Sequence, residues 1–285
     1  MLNVDLHSHS TISDGVLTPE DLAQRAYEHG VELWALTDHD EVGGLARAQK
    51  AAQALGIQFI PGVEISVTWQ NKTVHIVGLG IDYTDKRLIS SLQAVRKGRI
   101  RRAQKMGEQL EALGIMGAYE GALSYATNPE LVSRTHFARF LIDQGHCRSM
   151  REVFQRYLGD HKPGYYPMQW ATLEEAVQWI TQSNGKAVIA HPGRYNFTKE
   201  EFTQLFNQFK AFGGVGIEVV TGSHSKADYS HYAQVARDYS FEASCGSDFH
   251  WPREGRMDIG QVPPLPDDLT PIWHDWVITA VRREK

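Results

Sequence analysis

Val4-Asp5-Leu6-His7-Ser8-His9 alternates between two side-chain faces, the period-2 signature of a β-strand. Thr18-Pro19-Glu20-Asp21 then opens a helix, with an N-cap hydroxyl, proline at the first helical position and acids in the first turn. That helix carries Leu22, Ala23, Ala26 and Tyr27 on one face and stops at Gly30. Leu33-Trp34-Ala35-Leu36-Thr37 is a second strand. A helix over 45–55 ends at Gly56, and Ile57-Gln58-Phe59-Ile60 begins a third strand that runs on to Val63-Glu64-Ile65. Thr73-Val74-His75-Ile76-Val77 is a fourth. The rhythm returns after about residue 170. Capping boxes at Thr172/Glu175 and Thr198/Glu201 open two helices, and Ser225 caps a third. Between and after them lie strands 186–190, 215–220 and 241–245. Seven strands alternating with helices predict parallel strands joined by crossover helices. The expected fold is a closed or nearly closed α/β barrel, with an open doubly wound sheet as the alternative.

Residues 98–169 break this pattern. Helices are expected over 99–113, 133–144 and 150–158, with no strand between them. The stretch reads as a helical insertion in an α/β body formed by 1–97 and 170–285. It holds 10 Lys+Arg against 7 Asp+Glu, whereas the remainder holds 19 against 27. A basic insert over an acidic body suits an anionic substrate.

Composition narrows the classes. The chain has 285 residues, 42% hydrophobic and 22% charged, which is ordinary for a globular protein. No apolar run reaches the ~18 residues of a membrane span. The first residues lack the pattern of a signal peptide. Cys147 and Cys245 make no disulfide framework, so a reducing, cytoplasmic setting is expected. A net charge of -5 argues against broad binding to duplex DNA.

Thirteen histidines stand out. His7 and His9, two residues apart, share one strand face. Asp14 lies in the loop beyond, His39 follows the second strand, Glu64 the third, and His75 lies in the fourth. His191 closes the strand 186–190, and Asp248 and His250 follow the last strand. Strand ends of a barrel converge on one mouth. Nine nitrogen and oxygen ligands exceed one tetrahedral ion and suffice for two or three, with Glu64 able to bridge. Imidazole and carboxylate without thiolate admit Mn, Zn or Fe. The other seven histidines, His136 among them, lack this pattern.

Asp5-Leu6-His7-Ser8-His9, Thr37-Asp38-His39, Pro61-Gly62-Val63-Glu64, Ala190-His191-Pro192 and Gly246-Ser247-Asp248-Phe249-His250 resemble the motifs of the polymerase and histidinol phosphatase (PHP) family. The resemblance implies a distorted (β/α)7 barrel with a two- or three-metal phosphoesterase site, with manganese as the first choice. It implies that His7, His9, Glu64 and Asp248 hold one ion and that Glu64, His75 and His191 hold a second. Asp14, His39 and His250 would hold a third, or contact the phosphate and leaving group. A hydroxide between the first two ions would attack phosphorus and, in the two-ion case, Asp14 or His39 would protonate the departing oxygen. Asp38 and Asp40 are candidates for orienting imidazole N–H groups.

Within the insert, Val132-Ser133-Arg134-Thr135-His136-Phe137-Ala138-Arg139 resembles the subgroup that removes the 3'-phosphate from nucleoside 3',5'-bisphosphates. Close relatives in that subgroup also degrade short RNA from the 5' end. The resemblance points to Arg134 and His136, at a helix start capped by Ser133 or Thr135, as partners of the remote phosphate. Lys97, Arg99 and Arg102 are read as the start of the first insert helix and as further candidates. Tyr165, Tyr166 or Trp170 could stack a base. Histidinol-phosphate phosphatase and a non-catalytic PHP module are the alternative readings; a nucleic-acid-binding regulator lacks a recognisable reader motif.

Overall fold

The computed structural model describes residues 2–252 and 257–276. Among these, seven strands form one sheet in chain order: β1 (Val4–Asp5), β2 (Leu33–Leu36), β3 (Gln58–Trp69), β4 (Lys72–Leu79), β5 (Lys186–Ile189), β6 (Gly216–Thr221) and β7 (Glu242–Gly246). The ends of the sheet meet. Leu6 N–H donates to Cys245 O (3.0 Å), Asp248 N–H to His7 O (2.8 Å) and His9 N–H to Phe249 O (2.8 Å). A Cβ at Gly246 would stand 2.4 Å from that of His7, so glycine is required where β7 lies beside this segment. The barrel reading holds and the open sheet does not.

The all-parallel expectation needs correction. β1–β2–β3 and β5–β6–β7 pair in parallel, but β4 runs antiparallel to both β3 and β5. β3 and β4 form a hairpin whose turn residues, Gln70 and Asn71, have φ of 46° and 60°. Positive φ at both central positions is the geometry that matches strand twist. The turn lacks the Asn-Gly or Asp-Gly signal, which is why the sequence shows two strands without showing the reversal.

Helices α1 (Pro19–Glu28) and α2 (Leu45–Ala54) cross between the first three strands. α7 (Leu173–Gln182), α8 (Lys199–Ala211) and α9 (Lys226–Tyr239) surround the second half. The caps read at Thr18, Thr172, Thr198 and Ser225 are all present. Between the halves lie α3 (Lys86–Glu111), α4 (Ala118–Leu123), α5 (Arg134–Asp143) and α6 (Met150–Val153), the last passing into a π-turn over Phe154–Leu158.

α3 starts earlier than its pattern suggested. The Asp85 carboxylate caps it, accepting from Arg87 and Leu88 N–H at 2.7 and 3.3 Å. Lys97, Arg99 and Arg102 are therefore mid-helix, not at a helix start. One face of this helix feeds two cores. Leu88, Leu92 and Val95 pack with the barrel, whereas Ala103, Met106 and Leu110 pack with Phe137, Leu141 and Leu158. The helix expected around 272–281 is not seen over 272–276, which form turns and a bend; the rest of it lies outside the described residues.

Candidate functional site

β1 and the chain beyond it carry His7 and His9 into the barrel mouth, where both are fully buried. Their Nε2 atoms lie 3.1 Å apart. Glu64 Oε2 is 3.3 and 3.2 Å from them, and Asp248 Oδ1 is 3.5 and 3.3 Å away. Donor atoms of a tetrahedral ion at ordinary ligand distances stand about 3.4 Å from one another. The quartet matches that spacing.

Two more groups overlap it. Glu64 Oε1 meets His75 Nδ1 at 2.8 Å and His191 Nε2 at 2.9 Å, while Glu64 Oε2 meets His39 Nδ1 at 3.0 Å. Asp14 Oδ1 lies 3.3 Å from His250 Nε2 and 4.0 Å from His39 Nε2. Ligand atoms within 4.8 Å of one another form three sets: His7, His9, Glu64 and Asp248; His39, Glu64 and His75; His9, Asp14, His39 and His250. Eight of the nine expected residues fall in these sets, and His191 joins them through Glu64 Oε1. The grouping differs from the implied one in three respects: His9 belongs to two sets, His39 takes the place of His191 beside Glu64 and His75, and His39 stands between Glu64 and Asp14 through opposite ring nitrogens.

Glu64 and His75 reach this point by a route the strand-end rule does not supply. Both sit within the β3–β4 hairpin, where Glu64 faces Val77 and Ser66 faces His75. The two side chains are diagonal neighbours on one face.

The site also contains polar atoms that protein alone does not satisfy. His9 Nδ1, Asp14 Oδ1, His39 Nδ1, Glu64 Oε2, His191 Nδ1 and Asp248 Oδ1 are buried without a hydrogen-bond partner. Such atoms cost about 1–3 kcal/mol each if left so. Divalent cations fit Asp14 Oδ1, His39 Nδ1, Glu64 Oε2 and Asp248 Oδ1, the four of these atoms that face the ligand sets. Burial raises the pKa of Glu64, yet the surrounding His39, His75 and His7 more than offset it and hold the carboxyl well below its usual range. Asp14 and Asp248 are shifted down in the same way, by His250 and His39 and by His7 and His9 respectively, against burial. These carboxylates are ionised at neutral pH, as ligands must be. Burial lowers the pKa of His191 to about 4, leaving a neutral ring with a free lone pair.

Against the candidate ligand sets lies a cleft whose walls include Asp14, His39, Arg99, Arg102, Arg134 and Trp170. Arg99 is paired: Nε donates to Asp40 Oδ2 at 2.8 Å, Nη2 bonds the same oxygen, and Nη2 donates to Ser66 Oγ at 2.7 Å. Arg102 is not. Its Nε donates to Tyr166 O at 2.9 Å, and its guanidinium stacks on Trp170 at 5.3 Å and on Tyr165 at 5.8 Å. Burial, with Arg134 and Arg99 nearby, lowers its pKa to about 9. Arg134 touches Leu158 O (3.3 Å) and the exposed Asp160 (3.2 Å), and lies 5.8 Å from the Tyr165 ring. Trp170 forms part of the wall, whereas Tyr166 packs against the insert core.

Two candidate anion partners fall elsewhere. Lys97 is exposed and is not part of the cleft wall. His136 is buried at the third position of α5, where its Nδ1 accepts from Ser133 N–H at 3.0 Å in a capping box. Asp38 and Asp40 orient no imidazole. Asp38 accepts from Ser10 N–H and from the Ser10 and Ser13 hydroxyls. Asp40 accepts from Ser66 N–H and Arg99. A larger cavity of about 540 Å³ lies around Val4 and Pro263, at the N-terminal end of β1, and no histidine lines it.

A model of the PHP domain matches residues 5–222. The chain belongs to the PHP domain family. This PHP chain is 51% identical over 275 residues to the 3',5'-nucleoside bisphosphate phosphatase of Chromobacterium violaceum, covering 96% of each. It is 43% identical over 274 residues to the 5'-3' exoribonuclease Rnm of Escherichia coli, covering 95% of this chain and 93% of that one. A solved structure described as an amidohydrolase from Chromobacterium violaceum, with bound sulfate and no metal, shares 51% identity and superposes with a TM-score of 0.92 over 95% of this chain and 94% of that one.

Sequence reasoning missed several residues around the PHP site. Arg194 Nη1 donates to Asp248 Oδ2 at 2.8 Å and lines the cleft. Arg139 donates to Asp14 O at 3.0 Å and stacks on Trp251. Glu218, buried in β6, bonds His7. Only Glu218 carried a readable signal: a lone carboxylate inside the apolar run Val215-Gly216-Ile217-Glu218-Val219-Val220.

Proposed function

We propose that this chain is a metal-dependent phosphatase that removes the 3'-phosphate from nucleoside 3',5'-bisphosphates, adenosine 3',5'-bisphosphate being one. The observation that carries the reading is Arg102, a buried cation without a carboxylate partner, in the same cleft as the ligand sets. It calls for a second anion on the substrate, away from the reacting phosphate.

His7, His9, Glu64 and Asp248 would hold one divalent ion; Glu64, His75 and His191 a second; and Asp14, His39 and His250 a third. Manganese is the first choice, with zinc or iron as alternatives. Such ions, when bound, supply an activated water and neutralise phosphoryl charge. The chain's own residues do the rest. Arg102 and Arg134 bind the 5'-phosphate, and Trp170 and Tyr165 hold the guanidinium planes flat. Arg99, locked to Asp40, adds positive potential rather than a free fork. Where that third ion is not bound, Asp14 or His39 would instead stand beside the departing 3'-oxygen and its proton. Binding at both ends fixes the 3'-ester against the ligand sets and raises kcat as well as affinity. Lys97 and His136 have no part in this.

Removal of nucleotides from the 5' end of short RNA is the second reading. It uses the same anchor and the same 3'-oxygen leaving group, and the name of the Escherichia coli relative favours it.

Phosphate release should be measured with Mn²⁺ on adenosine 3',5'-bisphosphate, adenosine 3'-monophosphate and histidinol phosphate. The bisphosphate should exceed both others in kcat/KM by about 10–100-fold, the worth of one charge-assisted contact pair. Equal rates on all three would remove the anchor and with it the reading. A 5'-phosphorylated oligoribonucleotide in the same panel tests the second reading.

A further inference from the structure

His191 is held in a conformation that L-residues rarely adopt, with φ 29° and ψ 56°. Backbone of this kind persists only where neighbours over-determine it. The neighbour here is Glu218. Its Oε2 accepts from His191 N–H at 2.6 Å, and its Oε1 accepts from His7 Nδ1–H at 2.7 Å. The carboxylate is 1% exposed, and both its oxygens are used. It comes from β6, whereas His7 follows β1 and His191 follows β5, so one side chain ties together two ligands that approach from different strands.

We propose that Glu218 is a positioning residue for the metal centre, setting ion affinity by fixing His7 and His191 together. The inference rests on the metal-centre reading above. Accepting at His7 Nδ1 places the proton there and leaves Nε2, which faces Glu64, His9 and Asp248, as the lone pair for an ion. Accepting at His191 N–H keeps the strained peptide in place, and His191 Nε2 then stays 2.9 Å from Glu64 Oε1. A carboxylate is the group suited to this double task. An amide has one acceptor oxygen, so glutamine must set its NH₂ against either the His7 ring N–H or the His191 backbone N–H.

The test compares wild type, E218Q and E218D as full-length chains. Each is stripped with chelator, checked for native circular dichroism and titrated with Mn²⁺ against a chromophoric chelator. E218Q should bind at least one ion about 10- to 100-fold more weakly than wild type. E218D keeps the charge but is one methylene shorter and cannot span both partners, so it should also lose at least tenfold. Excess Mn²⁺ should then recover most of kcat for the bisphosphate, with KM little changed. Wild-type affinity in both variants overturns the positioning role while leaving the metal centre intact. Weakened binding in E218Q alone overturns it too, because charge and not placement is then the cause. If E218Q does not fold, E218D decides by the same affinity criterion. If the wild-type chain takes up no ion, the metal centre itself is wrong and the inference falls with it.

Discussion

Arg102 combines three features that a merely structural arginine does not need: burial, aromatic walls and no carboxylate within ion-pair distance among the described residues. An uncompensated buried cation destabilises the free protein, so an anion that fills the cleft recovers that cost. R102A should therefore raise KM for adenosine 3',5'-bisphosphate by about 10–100-fold. Turnover of 4-nitrophenyl phosphate, which has no second phosphate, should be little changed. A parallel loss on both substrates would place Arg102 at the reacting phosphate instead. Asp14 and His39 are separable by leaving group. D14N or H39N should lower kcat for the bisphosphate by about 10²–10⁴-fold if the altered residue passes the proton. The loss should shrink for 4-nitrophenyl phosphate, whose phenoxide departs without protonation. A loss independent of leaving group would assign that residue to ion binding alone.

At the scale of elements, the caps were readable because they are local chemistry, and the hairpin was not because pairing direction is decided by a turn. Gln70-Asn71 has neither glycine nor proline, and only the register of β3 against β4 shows the reversal. α3 illustrates the converse. Its apolar residues change partner midway, from the barrel core to the cluster around Phe137 and Leu141, so a single amphipathic face describes only its second half. α5 carries a pH device in its cap. His136 accepts from Ser133 N–H through Nδ1, and burial holds its pKa down to about 4. In the unfolded chain the ring titrates near 6.5. Its contribution is therefore complete above about pH 6.5 and declines as the pH falls to 4, because the unfolded chain takes the proton first. The full difference corresponds to about 3 kcal/mol. Urea unfolding of the metal-free protein should show wild type losing more stability than H136Q between pH 6.5 and 4, since glutamine keeps a cap acceptor without titrating. Equal slopes for the two proteins would mean that the cap does not sense pH.

For the molecule as a whole, seven of the nine candidate ligands were readable from short motifs, Asp14 and His75 only from their place beside or within strands, and barrel closure brings the strand ends together. Of what surrounds them, only Glu218 left a signal, a carboxylate inside an apolar strand. Glu218, Arg194 and Arg139 acquire their meaning only through the partner each meets. The same closure makes the ions part of the fold's stability. The ligands come from the chain beyond β1, β2, β5 and β7 and from the β3–β4 hairpin, so an ion at their centre joins both halves of the sheet. No helix among the described residues is long and apolar enough to cross a membrane. An ion at 100 times its dissociation constant contributes about 2.7 kcal/mol. For a chain of this size that corresponds to a rise in Tm of about 4–5 °C. Chelator-treated protein should melt lower by this margin, and added Mn²⁺ should restore both Tm and activity. H9A should bind fewer ions and show a smaller rise, because His9 belongs to two of the three ligand sets. Stoichiometric ion uptake with an unchanged Tm would mean that the site is equally formed in the unfolded chain, which burial at the barrel mouth argues against.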